Sequence, residues 1–279
     1  MAKFCLKYFP FCGNYIDKAD ELLIKYNPND RTLPEFVEKY QDKTIIINVN
    51  PQLPINPDEE GFTGLDKNNV IILSELSKKY KNIKIIFNSS DKVAYSLAIE
   101  NNIPFFFSNR VGTLDEMHGL MKYHPTDMYI CEELGFSLYN IARILHEQGI
   151  RIRVFPNICQ SSFTETPSLY TFFIRPDDIR IYTPIVDVFE LITDKDRQQV
   201  IFKIYKEGKW FGKLNEIIPS FHGELDNKYI LDGFGLFRCK CDKRCYRKPS
   251  SCGICAKYVA AADALEEKGI MITHEPNKF

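Results

Sequence analysis

The stretch "DMYICEELGFSLYNIARILHEQGIRIRVFPN", residues 127–157, decides how this chain is read. It opens on a short apolar run, Met128 to Cys131, and closes on a second, Ile150 to Phe155. Between them Leu138, Ile141, Ile144 and Leu145 recur at helical spacing, and Gly149 supplies a stop. Strand, helix and strand within so few residues predict a parallel βαβ crossover, because a parallel partner needs a connection long enough to hold a helix.

The same rhythm runs in both directions. Apolar runs at 4–9, 44–49, 83–87, 104–107, 128–131, 150–155, 170–174 and 186–191 give eight strand candidates. They are nearly continuous in β-branched and aromatic residues, as strands buried on both faces are. Helical patterns lie between most of them. One places Val70, Leu73 and Leu76 or Ser77 on one side. The next opens at Asp91, a cap candidate, and carries Val93, Leu97 and Ala98. A third opens at Thr113 with acids in its first turn. The segments after Cys159 and Arg175 are too short for long crossovers. The expected fold is α/β, a (β/α)8 TIM-like barrel over 1–194, followed by a helical, cysteine-rich extension over 195–279. The extension carries a helix, an aromatic turn at Trp210 and Phe211, the cysteines, and a last Ala-rich helix closed by Gly269.

Composition bounds the rest. The chain has 279 residues, 44% hydrophobic and 26% charged, with net charge −1. That suits a globular core and excludes a global field towards nucleic acid or anionic membrane. The N-terminal apolar run is broken by Lys7, and no stretch has the length of a membrane span. The expectation is a cytoplasmic protein that contacts no membrane.

A barrel places its chemistry at the C-terminal ends of its strands. Polar residues gather there: Asn48 and Asn50, Asn88 to Ser90, Ser108 with Asn109 and Arg110, Glu132 and Glu133, Asn157 with Cys159 and Gln160, Arg175 with Asp177, and Glu190 inside the last strand. Taken singly they suit helix caps and loop turns. Taken together they suit a pocket for a small anionic or amide-bearing substrate, lined by Asn50, Asn109, Arg110, Asn157, Gln160, Arg175 and Asp177. Arg110 and Arg175 could grip a carboxylate or phosphate as forked pairs. Glu132, Glu133 and Glu190 are the candidate acid–base groups. The sequence contains no G-x-S-x-G, H-E-x-x-H or Walker loop. His118, His124 and His146 fall on or after crossover helices, where surface roles are expected.

Cys239, Cys241, Cys245, Cys252 and Cys255 follow the spacing C-x-C-x3-C-x6-C-x2-C. The Cys252-Gly-Ile-Cys255 turn aims two sulfurs at one centre, as half of a tetrahedral site. In a reducing compartment such thiols hold metal more often than they form disulfides. The ligand set fits zinc or an iron–sulfur cluster, with or without Cys159, and spacing does not choose between them. Basic residues interleave with these cysteines from Arg238 to Lys248 and suit either a solvated loop or a nucleic-acid contact.

Several short motifs resemble the collagenase-like peptidase family U-thirty-two. They are Glu133-Leu134-Gly135 after a strand, the Asn157 to Ser162 loop, the Arg175-Pro176-Asp177-Asp178-Ile179 turn, and the Val188-Phe189 pair. The resemblance implies a barrel whose relatives include oxygen-independent hydroxylation proteins for RNA bases or quinone precursors. Those relatives carry an iron–sulfur cluster on cysteines after the barrel, and others of the family are called peptidases. Here the cysteines begin well downstream of Glu190, so their spacing departs from the family's block. The functional expectation is an enzyme that hydroxylates nucleic acid or a small aromatic substrate. The alternatives are a peptidase, and a non-catalytic interaction or assembly component, viral included, with structural zinc.

Overall fold

The computed structural model describes residues 1–10, 12–50, 64–130, 138–158, 173–218, 226–230 and 264. Among these the chain alternates strands and helices and is an α/β protein of the (β/α)8 TIM-barrel class. Its strands are β1 (Phe4–Lys7), β2 (Glu21–Lys25), β3 (Thr44–Asn48), β4 (Ile83–Phe87), β5 (Phe105–Phe107), β6 (Arg110–Val111), β7 (Asp127–Ile130), β8 (Arg151–Val154) and β9 (Val188–Leu191). Its helices are α1 (Leu33–Lys39), α2 (Lys67–Lys79), α3 (Lys92–Glu100), α4 (Leu114–Met121), α5 (Leu138–Glu147), α6 (Ile179–Tyr182) and α7 (Lys195–Glu207). Two compact units emerge: one of residues 3–110 with 118–129, the other of 1–2, 111–117 and 130–279.

In the first unit β1 to β5 are hydrogen-bonded in parallel, in the order β5-β4-β3-β2-β1. Register sorts their side chains into two faces. Phe4, Leu6, Leu22, Ile24, Ile45, Ile47, Ile83, Ile85, Phe87, Phe105 and Phe107 form a buried apolar face. Helices cover it: Tyr95 of α3 meets the Phe105 ring edge-on at 5.7 Å. The opposite face, which a barrel turns inward, is stacked in layers. Cys5, Glu21 and Thr44 lie deepest. Lys7, Leu23, Ile46 and Lys84 come next, then Lys25, Asn48, Ile86 and Phe106. Branched apolar residues fill most barrel layers; here charged residues occupy all three.

Helix ends follow local chemistry. The Asp66 carboxylate accepts from the Asn68 and Asn69 N–H groups, both at 2.8 Å, and α2 then buries Val70, Leu73, Leu76 and Ser77. Asp91 caps α3 through the Ala94 N–H. Here Ala94 is buried with Leu97 and Ala98, while Val93 is 62% exposed, because the helix begins at Lys92 and turns Val93 outward. Thr113 and Glu116 form a reciprocal capping box at the start of α4.

In the second unit α5 buries Leu138, Ile141, Ala142 and Leu145, and Gly149 leaves it at φ 72°. Asp187 then ties the turn together: its carboxylate accepts from the Ile152 N–H and meets His146 Nε2, each at 2.8 Å. Strands β8 and β9 pair in parallel, Arg153 opposite Val188. The crossover after Arg175 is as short as expected, a 3₁₀ turn running into α6. Asp194 caps α7, and Gly208 ends it at φ 70°.

Four elements differ from the sequence expectation, the two-residue strand β6 among them. Strand β2 was not among the candidates, because "ELLIK" holds three apolar residues between Glu21 and Lys25. Both charged residues belong to the inward face, so the run reads as too short. Helix α1 was also not expected. The candidate at 170–174 is not a strand where it is described, at Phe173 and Ile174, and 170–172 lie outside the described residues. The last Ala-rich helix falls outside them too, apart from Ala264, which is helical.

Two glycines separate conformational cost from packing cost. A Cβ at Gly208 meets only the Pro176 carbonyl at 3.6 Å, so Gly208→Ala is penalised by its left-handed φ. It is expected to lower stability by about 1 kcal/mol. Gly119 sits inside α4 with nothing within 4 Å of an added Cβ. Gly119→Ala is expected to raise stability by roughly 0.5–1 kcal/mol. Urea unfolding of the two variants beside the parent checks both signs.

Candidate functional site

The strand ends of the two units carry different groups. In the second unit Arg153 of β8 and Glu190 of β9 form an ion pair, Nη2 to Oε2, at 3.0 Å. Arg153 is 0% exposed and Glu190 3%. Since Arg153 is in register with Val188, Glu190 lies two residues further along. The guanidinium therefore leans about 6–7 Å towards the C-terminal end of the strands to reach it. Removing two charges from water costs several kcal/mol each, and an apolar pair of like volume is often as stable or more so. Such a pair is therefore weak evidence of a stabilising role.

Just beyond β8, Asn157 is fully buried and its amide clasps β9's exit. Its Nδ2 donates to the Ile192 carbonyl at 2.7 Å, and its Oδ1 accepts from the Ile192 N–H at 3.0 Å. That exchange continues the pairing of β8 with β9 through a side chain.

Arg175 begins a second buried cluster. Its Nε and Nη2 donate to the two carboxylate oxygens of Asp178 at 2.7 and 3.0 Å, and its Nη1 donates to Asn227 Oδ1 at 3.1 Å. The fork expected to grip a ligand thus holds a protein carboxylate in this structure. Asn227 Nδ2 donates to Asp177 Oδ2 at 2.8 Å and to the Trp210 carbonyl at 2.9 Å. One amide therefore links the turn after Arg175 to the aromatic turn, where Phe211 is 85% exposed. Tyr205 of α7 lies against the same region and donates its hydroxyl to the Ile174 carbonyl at 3.0 Å. Burial holds its phenol well above the usual range, and the charges of Asp178 and Asp177 add to the shift.

In the first unit Asn48 and Asn50 follow one another out of β3. The Asn48 Oδ1 accepts from the Asn50 N–H at 3.0 Å. Among the described residues the Asn50 Oδ1 is buried without a hydrogen-bond partner, an acceptor that a ligand donor could meet. Asn109 accepts from the Ser89 N–H at 2.7 Å and so braces the loop after β4. Arg110 is exposed at the start of β6. Deeper on the inward face Lys84 pairs with Asp127 at 2.5 Å, and the Thr126 hydroxyl donates to the same carboxylate oxygen.

Glu132, Glu133, Gln160, Cys159 and the cysteines Cys239, Cys241, Cys245, Cys252 and Cys255 lie outside the described residues. So does the basic segment 238–248. Among the described residues no group of three or more His, Cys, Asp or Glu is gathered as a metal site, and no helix is long and apolar enough to cross a membrane. Sequence reasoning missed Arg153 and Lys84. The available signal was charge at alternate positions inside otherwise apolar strands, "RIRV" and "IKIIF".

Two outcomes are expected here. Arg153→Met and Glu190→Met should each lose about 3–5 kcal/mol, because each removes one partner of a buried ion pair, while the double variant should lose less than the two single losses together. A double-mutant cycle in urea reads this directly. Tyr205→Phe should cost about 1 kcal/mol at neutral pH through the lost hydrogen bond. The raised phenol contributes stability that is intact below pH ~10 and is lost as pH rises towards its folded value. The gap between parent and Tyr205→Phe should therefore narrow between pH 9 and 12 in thermal melts.

No family model matches the chain, and no curated protein matches it. Solved structures do. A designed cube-shaped, highly porous protein cage built by fusing symmetric oligomeric domains aligns at 11% identity and a TM-score of 0.43, covering 74% of this chain and 73% of its own. A 4-hydroxy-2-oxoglutarate aldolase from TTHB1 aligns at 9% identity and 0.41, covering 74% and 93%. Phosphoribosyl anthranilate isomerase from Thermotoga maritima aligns at 10% and 0.38, covering 74% and 100%. At these values they say nothing of what this chain binds or converts.

Proposed function

We propose that the chain is an enzyme that works at the C-terminal ends of its barrel strands and modifies, by hydroxylation, a nucleic acid or a small aromatic substrate. The observation that carries this reading is the buried Arg153–Glu190 pair. A pair of charges that an apolar pair could replace without loss of stability is better explained by chemistry than by packing. Glu190 is the acid–base group of this reading, and Arg153 keeps its carboxylate oriented.

Four of Cys239, Cys241, Cys245, Cys252 and Cys255 would hold a metal centre, iron–sulfur or zinc. The donor chemistry fits, since cysteine thiolates ligate either metal and the C-x2-C spacing of Cys252 and Cys255 suits two ligands of one centre. Hydroxylation without dioxygen takes its oxygen from water or another donor and passes two electrons to an external acceptor, and an iron–sulfur centre, when bound, would relay those electrons. The basic residues from Arg238 to Lys248 would offer contacts to a phosphate backbone.

Two measurements test the reading. Protein purified without oxygen should be brown and carry iron and acid-labile sulfide, and Cys252→Ser with Cys255→Ser should lose them. A colourless protein with one zinc counts against redox chemistry. Nucleosides from the RNA of cells with and without the gene should differ by a hydroxylated base that Glu190→Gln fails to restore. Identical nucleoside profiles contradict the RNA branch.

A further inference from the structure

Residues 226–230 return to the second unit from far along the chain. Asp226 caps a three-residue 3₁₀ turn, Asn227–Tyr229, through the Lys228 N–H at 2.9 Å, and pairs with Lys213 in a single antiparallel bridge. Lys228 and Tyr229 are exposed, with the lysine Nζ 5.0 Å from the tyrosine ring centre. Of the five residues only Asn227 and Ile230 are buried. A single apolar side chain and a set of hydrogen bonds therefore hold the piece in place.

Asn227 carries most of that attachment. Its Oδ1 accepts from Arg175 Nη1 at 3.1 Å, and its Nδ2 donates to Asp177 Oδ2 at 2.8 Å and to the Trp210 carbonyl at 2.9 Å. Its backbone N–H donates to the Gly212 carbonyl at 2.9 Å. The turn it grips is itself braced. Trp210 Nε1 donates to the Lys213 carbonyl at 3.1 Å, and the Trp210 ring lies 2.6 Å from where a Cβ on Gly212 would stand. Undoing the grip strands no charge. Asp178 accepts from Arg175 Nε and Nη2 at 2.7 and 3.0 Å without help from Asn227. Asp177 is exposed, so water can replace the Asn227 amide on its carboxylate. A segment with so few buried apolar contacts belongs to the low end of local opening free energies.

We infer that residues 226–230 form a releasable strap, fastened at Asn227 across the turn after Arg175, that opens as a unit while the strands stay folded. Asparagine suits the fastening point because one short side chain offers an acceptor to Arg175 and two donors to Asp177 and the Trp210 carbonyl. The strap also limits the chain that follows it. Cys239 comes nine positions after Ile230, and nine residues extend at most about 30 Å. With Asn227 seated, the first cysteine of the cluster is held within that distance of Ile230, and opening lifts the limit. That consequence rests on the reading of the cysteines as a metal centre, whereas the strap itself does not.

The test is hydrogen–deuterium exchange of the full chain under native conditions. The amides to follow are those of Asn227, Tyr229 and Ile230, which donate to the Gly212, Asp226 and Asn227 carbonyls. In Asn227→Ala their protection should fall about tenfold or more, as loss of hydrogen bonds at a buried side chain does, while peptides covering β8 and β9 exchange as in the parent. Trypsin should cut after Lys228 faster by a like factor. Asn227→Asp keeps the acceptor for Arg175 but loses both side-chain donors and sets a like charge against Asp177, so it should open the strap as well. Adding Asp177→Asn reverses donor and acceptor across that contact and should recover part of the protection. Equal protection in Asn227→Ala and the parent overturns the inference. So does a loss that spreads through β8 and β9, which would make 226–230 part of the cooperative core. Absence of recovery in the paired variant contradicts fastening through Asp177. None of these readouts involves metal, so their failure leaves the metal proposal standing, and a metal-free protein leaves the strap standing.

Discussion

Parallel register is the constraint on which the rest depends. In β1 to β5 one face is wholly apolar and closed by helices, and the other carries Glu21, Lys84, Lys7, Lys25 and Asn48 in successive layers. A slip of one residue in any pair would drive a lysine under a helix and an isoleucine into the polar layers. The apolar face therefore fixes the position of every polar group on the other. The same logic holds in β8 and β9, where Arg153 reaches Glu190 only because it stands opposite Val188.

Local devices then hold the strand exits. Asn157 continues the β8–β9 ladder through its amide, Asn109 braces the loop after β4, and Asn48 folds back on Asn50. These amides satisfy loop backbone and are themselves oriented by it. Arg175 and Asn227 do the same for the turn beyond Arg175, gathering Asp177, Asp178 and the Trp210 carbonyl. Polar residues at strand ends thus divide into those spent on the fold and those left facing solvent, and Lys25 stands in the second group.

The rhythm of the barrel was legible because strands buried on both faces read as apolar runs, and the βαβ unit around 127–157 has clean helical spacing. Asp91 and Thr113 were legible as caps because their chemistry is local. Strand β2 was not, because its inward positions are charged and its apolar core is three residues long. At the end of the run at 170–174 the converse holds: Phe173 and Ile174 are buried without being paired as a strand. The roles of polar residues were the least legible. Arg175 looks like a ligand fork in sequence, and only the fold brings Asn227 to it across 52 positions. Arg153 looks like a surface residue until Glu190 is placed beside it.

The central claim is that ligand chemistry belongs to the C-terminal ends of the strands. Hydrogen–deuterium exchange of the full chain, with and without a mixture of nucleoside monophosphates, tests it most directly. Protection is predicted at the C-terminal strand ends, in peptides covering 25–26, 48–50 and 88–90 in the first unit or 190–192 in the second. Protection confined to the opposite strand ends, at 19–21, 42–44 and 81–83, would contradict the account.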